Sequence, residues 1–113
     1  MTNAYTDKTQ LERMKKEVEF IIKVTNDVSK EKFLNDDLLQ HGVCMSILTI
    51  GECANHLSEM FIEKHSEIPW IQVIAVRNIA AHGYWQLNME QIWEAVVSDI
   101  PELHNFLTTF FGG

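Results

Sequence analysis

Apolar residues recur along this chain at steps of three and four, and no segment alternates at a step of two. Leu11, Met14, Val18, Ile21, Thr25 and Val28 mark one side of a first helix, from about Asp7 to Val28. Thr9-Gln10-Leu11-Glu12 fits a capping box at its start. Lys15, Lys16, Glu17, Glu19 and Lys23 fall mostly on the other side and read as a solvated face. Asn35 or Asp36 can cap a second helix. Leu39, Val43, Ile47, Ile50, Ala54, Leu57 and Phe61 keep its stripe in register, which predicts one long helix to about Lys64. Met45, Leu48 and Met60, with Cys44 and Cys53, add a second apolar set, wider than one small bundle face needs. Such a helix is central, or it faces both a core and another subunit. Gly51 in its middle costs about 1 kcal/mol relative to Ala, so a close backbone contact there is expected.

Pro69 fits the first turn of a third helix, Trp70 to about Ala81 or His82, with Ile71, Ile74, Ala75, Asn78 and Ile79 on its inner side. Gly83 is placed to stop it. Asn88, with Gln91 three residues on, predicts the cap of the last helix. Its stripe is Ile92, Val96, Ile100, Leu103, Leu107 and Phe110, and Pro101 should kink or split it near Asp99. The pattern predicts an all-α, up-and-down bundle of four to five helices.

The 113 residues suit a single domain over 1–113, 46% hydrophobic with two Pro and five Gly, which argues against disorder. No apolar run approaches the roughly 18 residues of a membrane span, and the N-terminus has no signal-like design, so no membrane partner and a cytoplasmic location are expected. Cys44 and Cys53 lie nine apart in one predicted helix, on opposite faces and about 13 Å apart along the axis. They read as reduced core thiols. The net charge of −7 is uneven: residues 1–32 hold seven bases against six acids, and the rest holds two bases against ten acids. That balance weighs against broad nonspecific binding to nucleic acid, so any RNA contact must be local.

One stretch stands apart from the helical pattern: Val76-Arg77-Asn78-Ile79-Ala80-Ala81-His82-Gly83-Tyr84-Trp85. Arg77 is the only Arg or Lys after Lys64. Arg77 and His82 differ by about 140° around a regular helix, but a His at the helix end can swing toward one shared anion. Asn78 is four before His82, on the same face. A guanidinium matches a phosphate and stays charged, while an imidazole titrates near neutrality. Together they are the parts for metal-independent phosphodiester cleavage, with His moving the proton and Arg holding the transition-state charge. One His cannot readily serve as both base and acid, whereas a symmetric dimer would bring two of each to one cleft. Taken alone, Arg-x4-His is a weak signal. An Arg paired to an acid such as Glu52, beside a His packed as a cap, accounts for it equally well. Glu52 and His56 have metal-pair spacing, yet no third ligand is evident. His41, His65 and His104 read as surface or packing residues, and Trp70, Trp85 and Trp93 as core or interface.

Ile50-Gly51-Glu52-Cys53-Ala54, Leu57, Glu67-Ile68-Pro69-Trp70, Arg77-Asn78 through His82-Gly83-Tyr84-Trp85, Trp93 and Asp99-Ile100-Pro101-Glu102-Leu103 together resemble the HepT-like family of HEPN domains. The likeness runs from about Leu11 to Leu107, with Cys53 standing where Ala is more usual. It implies a homodimeric bundle that is the toxin of a type II toxin–antitoxin pair, a metal-independent ribonuclease needing no cofactor. Arg77 and His82 would be catalytic in a composite cleft at the dimer interface, with Asn78 and Glu52 in support. The implied partner is a minimal nucleotidyltransferase of the MntA type, which would silence the toxin by AMPylation of Tyr84. A phosphate on that phenol would occupy the place of the RNA phosphate. The alternative is a non-catalytic HEPN interaction module that binds such a nucleotidyltransferase and presents its substrate.

Overall fold

The computed structural model describes residues 4–81 and 85–112; no side chain is described for residues 4, 5 and 85–87. Among the described residues every regular element is helical. The elements are α1 (Ala4–Thr25), α2 (Lys30–Leu34), α3 (Asp37–Asn55), α4 (Glu59–Lys64), α5 (Trp70–Ala81), α6 (Trp85–Glu94), a π-helical turn (Ala95–Asp99) and α7 (Ile100–Phe110). α3 is the spine, packed against α1 on one side and α5 on the other, while α7 closes on α1.

The predicted stripes make the core. Leu11, Met14, Val18 and Ile21 of α1 meet Val43, Ile47, Ile50 and Ala54 of α3, with Ile92, Ile100, Leu103 and Leu107 filling from the last helices. Phe33 on α2 is fully buried and its ring lies 5.1 Å from that of Trp93, so this single turn plugs the space between α3 and α6. At one end, Phe61, Phe106 and Phe110 pack around the ring of His65, which therefore serves packing.

The predicted long second helix is two helices. α3 stops at Asn55, and Ser58 starts α4 by accepting a hydrogen bond from the Phe61 amide at 3.1 Å. The buried carboxylate of Asp7 fixes this break, accepting from the Ser58 amide at 2.9 Å and the Ser58 hydroxyl at 2.7 Å. A local cap tied to a distant carboxylate outcompetes the unbroken apolar stripe. The first helix is shifted: it spans Ala4–Thr25, and Asp27 adopts a left-handed φ of 62° just beyond it. Asn88 is no cap, because α6 already runs from Trp85. Ile71, expected inside, is 87% exposed.

Pro101 splits the last helix as its chemistry requires. It sits in the first turn of α7, where a missing N–H costs nothing. The strain is relieved just upstream, where the Ile100 amide reaches back five residues to the Ala95 carbonyl and forms the π-turn. No helix among the described residues is long and apolar enough to cross a membrane.

Candidate functional site

The site is built where α5 crosses α3 at a residue without a side chain. A Cβ placed on Gly51 would lie 2.2 Å from Cβ and 2.5 Å from Cγ of Arg77. The aliphatic stem of Arg77 therefore lies in the notch that Gly51 leaves. The close contact expected at Gly51 exists, but it is with the arginine itself.

From that notch the guanidinium emerges beside the next residue of α3. Nη2 of Arg77 forms an ion pair with Oε2 of Glu52, and Nη1 donates to Oδ1 of Asn78 at 3.0 Å. Nε is sealed from solvent and has no hydrogen-bond partner among the described residues. The arginine side chain is 35% exposed and that of Glu52 45%, so solvent screens the pair and its contribution to stability is modest. Its consequence is geometric: a half-sunk stem and two acceptors hold the charged end at the surface. At the end of α3, the His56 ring meets the Glu52 carbonyl at 2.7 Å, a local contact that accounts for this histidine without a metal.

Three of the five predicted site residues, Arg77, Asn78 and Glu52, thus come together. His82 and Tyr84 follow directly on the last turn of α5 but lie outside the described residues, as does Gly83. Trp70 is buried in the core, while the Trp85 side chain is outside the description.

Exposed apolar residues extend along both helices away from the arginine. Leu38, Met45 and Glu52 are spaced by sevens on α3, so they share one azimuth; Ile71 and Asn78 do the same on α5. Because Glu52 and Asn78 both bind Arg77, the two stripes adjoin at the guanidinium. Leu38 is 85% exposed, Met45 65% and Ile71 87%. The wide apolar arc of the second helix hinted at this surface, whereas nothing in the pattern of α5 set Ile71 apart from its core neighbours. A groove between α5 and the π-turn, lined by Gln72, Val76, Gln91, Glu94, Val97 and Asp99, had no signal in the sequence. Burial, and secondarily the charge of Glu102, raise the Asp99 carboxyl above its ordinary range.

Cys44 and Cys53 are both free thiols, the second fully buried. Burial pushes the Cys44 thiol up to about 11, and it raises Cys53 as well.

Among the described residues the domain is all-helical and holds Arg77 at its surface, with Asn78 next in the sequence and His82 five residues on from the arginine. The chain belongs to the HepT-like ribonuclease family: the family described as Ribonuclease HepT-like matches residues 14–110. It is similar to a "Putative RNase" of Caldanaerobacter subterraneus subsp. tengcongensis, 36% identical over 98 residues that cover 87% of this chain and 88% of that one. It is also similar to the "Probable ribonuclease HepT" of Thermococcus cleftensis, 31% identical over 96 residues, 85% of this chain and 87% of the relative. A "Putative RNase" of Methanocaldococcus jannaschii is 36% identical over 91 residues, 80% and 72% of the respective chains. No solved structure is a significant match to the chain.

Proposed function

We propose that this protein is the toxin of a type II toxin–antitoxin pair, a cytoplasmic, metal-independent endoribonuclease acting as a homodimer. The observation that supports this reading best is the setting of Arg77, whose stem is locked in the Gly51 notch while its charged end is held at an apolar surface. His82, five residues further along the sequence, is the imidazole that this chemistry requires as proton carrier.

In this reading, two copies meet through the uncovered stripes of α3 and α5, burying Leu38, Met45 and Ile71 and bringing two Arg77–His82 pairs into one cleft. One His82 takes the proton from a ribose 2′-hydroxyl, whose oxygen attacks the adjacent phosphorus. The other protonates the departing 5′-oxygen, and Arg77 stabilises the negative charge that builds on the phosphoryl oxygens. The products are a 2′,3′-cyclic phosphate and a free 5′-hydroxyl. Asn78 holds the guanidinium from the side.

A nucleotidyltransferase antitoxin of the MntA type then silences the site. The Tyr84 phenol oxygen bonds to the α-phosphorus of ATP and pyrophosphate leaves, so that AMP stays on the ring. Tyr84 is two residues from His82 in the sequence, and in this reading the phosphate on its ring takes the place of the substrate's.

The test is to express the wild type and His82→Ala in cells and follow growth and RNA integrity. Growth arrest with RNA cleavage in the wild type alone is the expected result. A wild type that neither slows growth nor cuts RNA refutes the reading and favours a non-catalytic module that presents a substrate to the nucleotidyltransferase.

A further inference from the structure

We propose that Glu52 is a built-in competitor for the phosphate, a tethered carboxylate that an RNA strand must displace from Arg77. The inference rests on the reading of Arg77 as the phosphate-binding group. A guanidinium offers its donors along two edges. One edge is closed here, because Nε is sealed from solvent. Only the Nη1–Nη2 end faces out, and both of its nitrogens already have an oxygen: Asn78 Oδ1 on Nη1 and Glu52 Oε2 on Nη2.

The two acceptors differ in kind. Asn78 is neutral and adjacent in sequence, so it can stay while a phosphate binds. Glu52 is an anion standing where one phosphate oxygen would stand in a bidentate pair. It is nearly half exposed and comes from the other helix, so its side chain can swing away without moving the backbone.

The arrangement sets a threshold. Against free phosphate or a mononucleotide, an anion already in place has the advantage of a high local concentration. A strand held by further contacts along the cleft overcomes it, because its phosphate is then delivered to Arg77 at comparable concentration and with a matching fork. Glu52 thereby selects polymeric substrate over the small phosphates of the cell.

The experiment measures binding of a 2′-O-methyl oligouridylate, which has no 2′-hydroxyl to attack, by calorimetry with the full chain. The variants are Glu52→Gln, Arg77→Ala, the double variant, and Glu31→Gln, which removes one exposed charge on α2. Circular dichroism checks that each is folded. Glu52→Gln is expected to bind up to about fivefold tighter than the wild type, the upper range for releasing a screened ion pair. That gain should vanish when Arg77→Ala is also present, and Glu31→Gln should match the wild type. Affinity unchanged or weakened in Glu52→Gln, or a gain that survives the loss of Arg77, overturns the proposal. A protein that binds as expected yet leaves RNA intact refutes the ribonuclease reading and keeps this one. A protein that cuts RNA while Glu52→Gln binds no tighter does the reverse.

Discussion

Gly42 and Gly51 occupy the same helix, and the structure predicts opposite results for the same substitution at the two sites. In Gly51→Ala the new methyl would sit 2.2 Å from Arg77 Cβ and 2.5 Å from Cγ, where carbon atoms need about 3.5–4 Å. Arg77 Cβ is fixed to its backbone and stays in place whatever rotamer the side chain takes, so α5 itself must move by more than about 1 Å. Overpacking of this kind costs about 1–3 kcal/mol, against roughly 1 kcal/mol gained by Ala over Gly in a helix interior. With the nearest atom bound to backbone, the upper part of that range applies, for a net loss of about 1–2 kcal/mol. In Gly42→Ala the methyl meets only the Phe20 ring, at 3.6 Å, an ordinary contact. The propensity gain should survive there as about 0.5–1 kcal/mol of stabilisation.

At roughly 4–5 °C per kcal/mol for a domain of this size, Gly51→Ala should melt about 4–10 °C below the wild type and Gly42→Ala about 2–5 °C above it. Thermal unfolding followed by circular dichroism, at one fixed protein concentration, measures both. If Gly51→Ala is as stable as the wild type, α5 does not lie against α3 as described, and the account of how Arg77 is held is wrong.

Removing the Asp7 clip by Asp7→Ala leaves the Ser58 amide and hydroxyl without their buried acceptor and should cost about 1–3 kcal/mol in urea unfolding; a loss under about 0.5 kcal/mol would mean that the break after α3 holds itself. The folded state holds the Asp99 proton more tightly than the unfolded chain does, so stability from this group is fully present below its ordinary value of 3.8 and is lost as pH rises through the folded value. Asp99→Asn should therefore be more stable than the wild type at neutral pH, with the gap closing on acidification toward 3.8; a gap that widens instead contradicts the raised carboxyl. With its thiol pushed up to about 11, Cys44 should alkylate slowly, at a rate still climbing beyond about pH 9, and a plateau near pH 8 would refute the shift.

The core of the fold was legible because burial writes itself as period. Leu11, Met14, Val18 and Ile21 on α1 and Val43, Ile47, Ile50 and Ala54 on α3 were read from spacing and are buried. Pro101 announced the split near Asp99 because a ring without an N–H has one local consequence. The break at Ser58 was not legible, since what decides it is Asp7, 51 residues away. Nor was the orientation of Ile71: on a short, almost wholly apolar α5, periodicity does not distinguish the covered side from the open one. At the site, the residue types pointed to Arg77, Asn78 and Glu52 as a group. Their bonding partners and the role of the Gly51 notch emerged only when α3 and α5 were placed side by side.

If Arg77 and His82 cut RNA without a metal, cleavage must survive chelation and depend on both side chains. The most direct test incubates purified wild type, Arg77→Ala and His82→Ala with single-stranded RNA in excess chelator and follows both cleavage and the chemistry of the new ends. The wild type should cleave to 2′,3′-cyclic phosphate ends, and either variant should be at least about 100-fold slower. RNA left intact by the wild type, or cut equally fast by His82→Ala, would contradict this assignment.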